Sequence, residues 1–101
     1  MKIITVCGSY KYKKEIMEIT EKMALEGNCV LPPIELTKSG KDAYTEEELL
    51  TLGKMHKEKI KLSDAVLVVN VGGYIGNSTN GEIQYAESLN KEILYYTDLV
   101  K

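Results

Sequence analysis

The sequence contains no arginine, which limits how the protein can bind phosphate. Any phosphate contact must come from lysine, hydroxyl groups, backbone N–H groups or the N-terminus of a helix. The net charge is only -2, and the short run KYKK at 11–14 is the one basic cluster, so we expect no nucleic-acid partner. No segment approaches the roughly 20 apolar residues of a membrane span, so we expect no membrane partner.

Cysteine and histidine are also scarce. The chain has two cysteines, Cys7 and Cys29, and one histidine, His56. Small secreted domains that depend on disulfides usually carry more cysteines, which favours a reducing, cytoplasmic location. One histidine and two distant cysteines do not supply a zinc ligand set, so we predict no metal and no other cofactor. We interpret Cys7 as a core residue, because no histidine accompanies it in the sequence.

Several familiar site motifs are absent. The glycine-rich stretch GGYIGNSTNGEIQYA at 72–86 is not a Walker A sequence, because no Gly-Lys-Ser/Thr closes it, and its glycine spacing does not match G-x-G-x-x-G. No G-x-S-x-G is present, which argues against a serine nucleophile. Any ligand site in this stretch must therefore bind through backbone N–H groups, hydroxyl groups or the N-terminus of a helix.

The chain is predicted to form one domain over residues 1–101. Its 44% hydrophobic and 28% charged residues are ordinary for a globular protein. Short apolar runs alternate with segments of helical periodicity, which predicts an α/β fold with a small doubly wound, Rossmann-like parallel sheet. We expect about four strands in the order 2-1-3-4, with helices on both faces. The strand segments are KIITVC, CVLPPIEL, AVLVVNV and EILYY, and the second is a short strand ended by Pro32–Pro33, because proline cannot donate to a ladder.

The helices carry recognisable boundaries. KKEIMEITEKMALEGN is predicted to end at Gly27, and TEEELLTLGKMHKEKIKLS to begin with a capping box of Thr45 and Glu48. NGEIQYAESLN is predicted to form a third helix that buries Ile83, Ala86 and Leu89 on its apolar face. The final TDLVK is interpreted as a tail.

Ligands of such sheets bind beyond the carboxyl ends of the strands, where the strand order reverses. Here two loops should meet at that point, one after the first strand and one after the third. The first loop contributes Gly8, Ser9 and Tyr10. The second is the glycine-rich loop, which is either a ligand site or a turn that needs positive φ angles. Its candidate binding residues are Gly73, Gly76, Asn77, Ser78 and Asn80.

Glu82 has two interpretations from the pattern alone. Thr79 and Glu82 have capping-box spacing, so the carboxylate could simply cap its own helix. Alternatively Glu82 faces the sheet beside Ile83 and performs chemistry. His56 is likewise either a partly buried structural histidine or a general acid. Asp64 is interpreted as a turn residue at the opposite end of the sheet, and the tyrosines as stacking groups or surface aromatics.

The segment SDAVLVVNVGGYIGNSTNGEIQYAESLNKEILYY resembles the core of the nucleoside 2-deoxyribosyltransferase-like superfamily, which includes 2'-deoxynucleoside 5'-phosphate N-hydrolases. The shared pattern is an aspartate before an apolar strand, a loop of glycines and hydroxyls, and a helix-opening glutamate with an alanine four residues on. CGSYKYKKEI is similar to the first strand and loop of that family. The resemblance covers most of the chain and is closest over residues 63–96.

The resemblance implies cleavage or transfer at the N-glycosidic bond of a 2'-deoxynucleoside or its 5'-monophosphate. Glu82 matches the family's nucleophile, which forms a glycosyl-enzyme with C1' of the sugar. Gly8, Ser9 and Tyr10 match residues that hold the sugar, and Ser78 and Asn80 match residues that bind its 5' side.

The family carries an aspartate eight residues before the strand-leading aspartate, and here that position is His56. Phosphate-preferring members tend to carry arginine in the first loop, where this chain has lysines. Family members often complete the site with a segment from a neighbouring subunit, which implies a homodimer or higher homo-oligomer. Two rival hypotheses are a non-catalytic nucleotide-binding or sensing domain, and an oligomeric scaffold in which Glu82 only caps its helix.

Overall fold

Four parallel strands form one sheet in the computed structural model, which describes residues 1–38, 40 and 42–100. The sheet order is β2-β1-β3-β4, which confirms the predicted α/β fold and strand order. The register pairs Ile4 with Ala65 and Gly8 with Val69, so the two central strands end level at the carboxyl edge. The strands are β1 (Ile3–Gly8), β2 (Cys29–Leu31), β3 (Ala65–Val69) and β4 (Glu92–Tyr95).

Helices cover both faces of the sheet, because the two central strands are apolar on both sides. The helices are α1 (Lys13–Leu25), α2 (Glu46–Leu62), α3 (Asn77–Ser88) and the short α4 (Tyr96–Leu99). Successive side chains of a strand point to opposite faces. Ile4 and Val6 of β1 therefore pack in the cluster that includes α1, whereas Cys7 packs with Ile60 of α2 and Ile83 of α3.

Helix α2 begins as its sequence predicts. The Thr45 hydroxyl accepts a hydrogen bond from the Glu48 N–H at 3.1 Å, and the Glu48 carboxylate accepts one from the Thr45 N–H at 2.8 Å. This capping box fixes the first turn of the helix that carries His56.

Helix α3 begins earlier than predicted. Its N-cap is Gly76, and the Asn80 N–H already bonds to the Gly76 carbonyl at 2.9 Å. Thr79 therefore lies inside the helix and is buried, so the predicted capping box of Thr79 and Glu82 is wrong. The prediction that Leu89 is buried is also wrong, because Leu89 follows the last turn of α3 and is 36% exposed.

Strand β2 ends at Leu31, which confirms the prediction that Pro32–Pro33 end it, because Pro32 has no N–H to continue the ladder. One other element differs from the sequence prediction. The predicted tail contains the short helix α4. In the described part of the chain, no helix combines the length and the apolar character needed to cross a membrane.

The segment after β2 is held against the carboxyl edge of the sheet at two points. The Lys59 ammonium donates to the Pro32 carbonyl at 2.7 Å, and the Tyr10 hydroxyl donates to the Ile34 carbonyl. Lys13 and Glu35 form an exposed ion pair in the same region. Residues 32–36, which we call the wall segment, are thereby fixed above the loop that follows β1.

Candidate functional site

A cavity of about 510 Å³ opens at the carboxyl ends of β1 and β3, where the strand order reverses. This volume lies within the ordinary range for small-molecule sites. Its rim and floor come from the loop after β1, from α2 and from the start of α3, and the wall segment closes one side. The predicted binding residues that line it are Gly8, Ser9, Tyr10, Gly76, Asn77 and Ser78.

The glycine-rich loop divides into two parts with different roles. Gly72 and Gly73 have φ values of 63° and 83°, so the first part is the turn that the positive-φ interpretation predicted. Gly73 does not line the cavity, and neither does Asn80, which lies within α3. The second part, from Gly76 to Thr79, lines the cavity.

The start of α3 offers backbone donors to this cavity. Gly76 provides no side-chain cap, and no acidic residue occupies the first turn. Because the first N–H groups of a helix have no partner within it, they are free to bind an anion. Asn77 and Ser78 add an amide and a hydroxyl at the same place.

Three chemically active side chains meet at the inner end of the cavity. Cys7 comes from β1, His56 from α2 and Glu82 from α3. The Cys7 sulfur lies 3.3 Å from Nε2 of His56, and Oε2 of Glu82 lies 3.8 Å from the same nitrogen. Cys7 is fully buried, whereas the side chains of His56 and Glu82 retain 10% and 22% exposure. The carboxylate of Glu82 thus points into the cavity and not back to its own helix N-terminus.

Burial sets the protonation states of this cluster. It lowers the pKa of His56 to about 4, and the nearby Lys59 charge contributes to the same shift. It also raises the pKa of Glu82, although contact with Cys7 and the charge of Lys57 act in the opposite direction. Burial, together with the Glu82 charge, raises the pKa of the Cys7 thiol. At neutral pH the cluster therefore holds a neutral imidazole and a neutral thiol beside the Glu82 carboxyl group.

Cys7 is a core residue as interpreted, but the reason given was wrong, because His56 lies in contact with its sulfur. The alternation of side chains along β1, combined with the helical spacing of α2, could have predicted this contact. Cys7 lies two residues after Thr5 on the β1 face that packs against α2, and His56 lies one turn before the buried Ile60 on α2.

Close packing at Gly8 brings the first loop to the cavity. A Cβ atom at this position would lie 3.1 Å from Cβ of Val69 and 3.3 Å from Cδ1 of Ile16. Glycine therefore lets β1 end tightly against β3, and Ser9 follows with its hydroxyl bonded to the Lys11 N–H.

The tyrosines have separate surroundings. Tyr10 and Tyr74 line the cavity, whereas Tyr12 packs against the core and contacts Tyr74 edge to face, with 5.9 Å between ring centroids. Tyr44 accepts a hydrogen bond from the Lys38 N–H at 3.1 Å. Lys11 lies over Tyr74, with its ammonium 5.0 Å from the ring centroid, and so places a cation near the cavity rim.

Sequence reasoning did not identify the apolar part of the cavity. This part is lined by Pro33, Ile34 and Leu36 of the wall segment and by Leu52 and Met55 of α2. These residues lie in segments whose periodicity gives no hint of a shared cavity. Asp64 is structural as predicted, since its carboxylate accepts the Ile3 N–H at 2.8 Å at the far end of the sheet.

Comparison with protein-family models finds no family that matches this chain, and comparison with curated proteins finds no matching relative. Function is therefore inferred from the geometry of the cavity and from the sequence pattern.

Proposed function

We propose that the protein cleaves or transfers the N-glycosidic bond of a 2'-deoxynucleoside or its 5'-monophosphate, as a nucleoside 2-deoxyribosyltransferase-like enzyme. One observation carries the proposal: the Glu82 carboxylate shares a cavity with His56 and with the Gly8–Tyr10 loop. A carboxylate that capped its helix would have no reason to lie there, and its desolvation is a cost that a ligand site explains.

Glu82 is the nucleophile of the proposed reaction. One carboxylate oxygen forms a bond to C1' of the sugar, and the base leaves with the electron pair of the C–N bond and gains a proton. Water then attacks C1' and releases Glu82, or a second base attacks and gives a new nucleoside. Both steps invert C1', so the product retains the configuration of the substrate.

His56 acts as a positioning residue in this mechanism. Because the pKa of His56 is lowered to about 4, its imidazole is neutral at pH 7 and carries no readily donated proton. Its Nε2 lies 3.3 Å from the Cys7 sulfur and 3.8 Å from Oε2 of Glu82, so the ring packs beside the carboxylate and limits where it can lie, without a direct hydrogen bond to it. The proton for the departing base then comes from solvent in the open cavity.

The start of α3 and Lys11 suit the 5' side of the substrate. Free N–H groups at Asn77 and Ser78 bind a hydroxyl or a phosphate, and the Lys11 ammonium near Tyr74 adds positive charge at the rim. Tyr10 and Tyr74 provide aromatic faces for the base.

The direct test incubates the protein with deoxynucleosides and deoxynucleoside 5'-monophosphates, with a chelator present, and separates free base by chromatography. We expect base release from at least one substrate, and a loss of about 10³-fold or more in Glu82→Gln. Glu87→Gln is the matched control, because Glu87 is exposed on the same helix. Full activity of Glu82→Gln, or no base from any substrate, would refute the mechanism.

A non-catalytic nucleotide-binding domain is the second candidate, and the neutral state of His56 favours it, because no charged acid faces the leaving base. Thermal stabilisation by a deoxynucleotide without release of base would support this alternative. The scaffold hypothesis loses its main support, since Glu82 does not cap α3.

We also propose that the protein forms a homodimer or higher homo-oligomer. Leu49, which lines the cavity, is 47% exposed, and the adjacent Leu50 is 62% exposed, so an assembly would bury this apolar surface beside the cavity. Size-exclusion chromatography with light scattering measures the mass directly, and a strictly monomeric mass at all concentrations would contradict this proposal.

A further inference from the structure

Cys7, His56 and Glu82 present three different metal-binding atoms to one point. The sulfur, the imidazole nitrogen and a carboxylate oxygen all lie within 4.8 Å of one another. We propose that these residues form a binding site for a borderline-soft divalent cation of the zinc class, with a fourth coordination position open to the cavity. This inference does not rest on the proposed enzymatic activity.

The spacing of the three atoms suits tetrahedral coordination. Typical zinc distances of about 2.3 Å to sulfur and about 2.0–2.2 Å to nitrogen or oxygen imply edges of roughly 3.3–3.6 Å between ligand atoms. The Cys7–His56 edge is 3.3 Å, and the His56–Glu82 edge is 3.8 Å. The His56–Glu82 edge is slightly longer than this range, so cation binding would draw the Glu82 oxygen closer to the other two ligand atoms.

The scaffold holds the ligands firmly and still leaves an entry path. Each ligand comes from a different element of one core cluster, in which Ile60 and Ile83 pack beside Cys7. Glu82 is the most exposed of the three and lines the cavity, so a cation reaches the site from that side. Three protein ligands with one open position are typical of a zinc site that can also bind water or a small ligand.

The donor set discriminates among cations. Magnesium and calcium prefer oxygen ligands, whereas thiolate and imidazole favour zinc, cobalt and related metals. On binding, the Cys7 thiol releases its proton to solvent, and the thiolate and the carboxylate together balance the charge of the divalent ion. No lysine is among the described residues that line the cavity, and the charges of Lys57 and Lys59 act on the cluster from outside the lining.

The same geometry argues against Cys7 as a nucleophile toward a bound substrate. Its side chain is fully buried and does not line the cavity, so a substrate carbon cannot approach the sulfur. A metal ion placed between the three side chains needs no such approach.

Cobalt titration tests the site with a readout that is independent of activity. We would add CoCl₂ to the reduced protein and record the thiolate-to-cobalt charge-transfer absorption, followed by displacement with ZnCl₂. We expect one ion per chain, no response to MgCl₂, and loss of the charge-transfer band in Cys7→Ser. Cys29→Ser is the matched control and should retain the band, because Cys29 lies on the edge strand β2.

A Glu82→Gln variant keeps the test valid if Cys7→Ser fails to fold. Mutation of an outer-shell partner typically weakens metal binding about 10–100-fold. Removing Glu82 as a direct ligand should weaken zinc binding by more than this, while the thiolate band persists. Absence of the band in folded wild-type protein, or its loss in Cys29→Ser but not Cys7→Ser, would overturn the proposal.

The enzymatic proposal and the metal-site proposal can each be refuted without refuting the other. Bound zinc would occupy the Glu82 carboxylate and stop base release, so activity is measured with chelator and metal binding without substrate. A protein that binds cobalt but releases no base refutes only the enzymatic proposal. A protein that releases base but shows no cobalt–thiolate band refutes only the metal site.

Discussion

The buried neutral state of His56 predicts a specific pH dependence of stability. The unfolded chain binds a proton near pH 6.5, whereas the folded protein does so only near pH 4. Between these values the unfolded state holds more protons, so the stability that His56 contributes above pH 6.5 is lost as the pH falls. Because His56 is the only histidine, this contribution can be attributed to one side chain.

The magnitude follows from the two pKa values. Proton linkage for a shift from 6.5 to about 4 gives a loss of about 2 kcal/mol in unfolding free energy between pH 7 and pH 5. Glu82 contributes with the opposite sign, because its pKa is raised in the folded protein. The comparison is therefore made between proteins that differ only at His56, and repeated in a Glu82→Gln background.

The assay is urea unfolding of wild type and His56→Gln at pH 7, 6 and 5, with a chelator present. We expect wild type to lose about 2 kcal/mol more than His56→Gln over this range. Lys54→Gln, an exposed change on the same helix, should follow wild type. An equal loss in wild type and His56→Gln would refute the conclusion that His56 is buried in its neutral form.

Three further variants test other parts of the structure. Glu82→Gln should be more stable than wild type in urea at pH 7, because its raised pKa means the buried carboxylate is costly there; this advantage should shrink as the pH falls toward 4.5. Thr45→Ala should lower the unfolding free energy by about 1 kcal/mol and leave ligand binding unchanged, since it removes only the α2 cap. Gly8→Ala should cost about 1–3 kcal/mol by thermal or urea unfolding, because the added Cβ crowds Val69.

The alternation of apolar runs and helical segments was enough to predict the sheet, its order and the edge at which the cavity lies. These features follow from hydrophobic periodicity and from right-handed crossovers, which are readable along the chain. The start of α3 was not predicted correctly, because Thr79 and Glu82 mimic a capping box while the helix begins at Gly76 without a side-chain cap. A sequence pattern of capping side chains cannot predict where a helix begins when no side chain caps it.

The Cys7–His56 contact was missed for a different reason. The contact depends on three features. The Cys7 side chain must point to the sheet face that α2 covers, His56 must lie on the helix face that packs against the sheet, and α2 must cross the sheet at the level of Cys7. The first two can be read from the sequence, but the crossing height is set by side-chain packing among elements distant in the chain. The same limit applies to the wall segment, whose place over the cavity depends on the bonds from Lys59 and Tyr10.

Changes in the wall segment can alter the shape of the cavity, and so the ligand it accepts, without moving Cys7, His56 and Glu82. Cys7, His56 and Glu82 lie on regular elements that share one core, whereas Pro33, Ile34 and Leu36 belong to an irregular connection. Lengthening a loop costs only about 0.6 kcal/mol for each doubling, far less than altering a core strand. Insertions or substitutions between β2 and α2 can therefore enlarge or narrow the cavity during evolution or engineering, while the reactive cluster keeps its geometry.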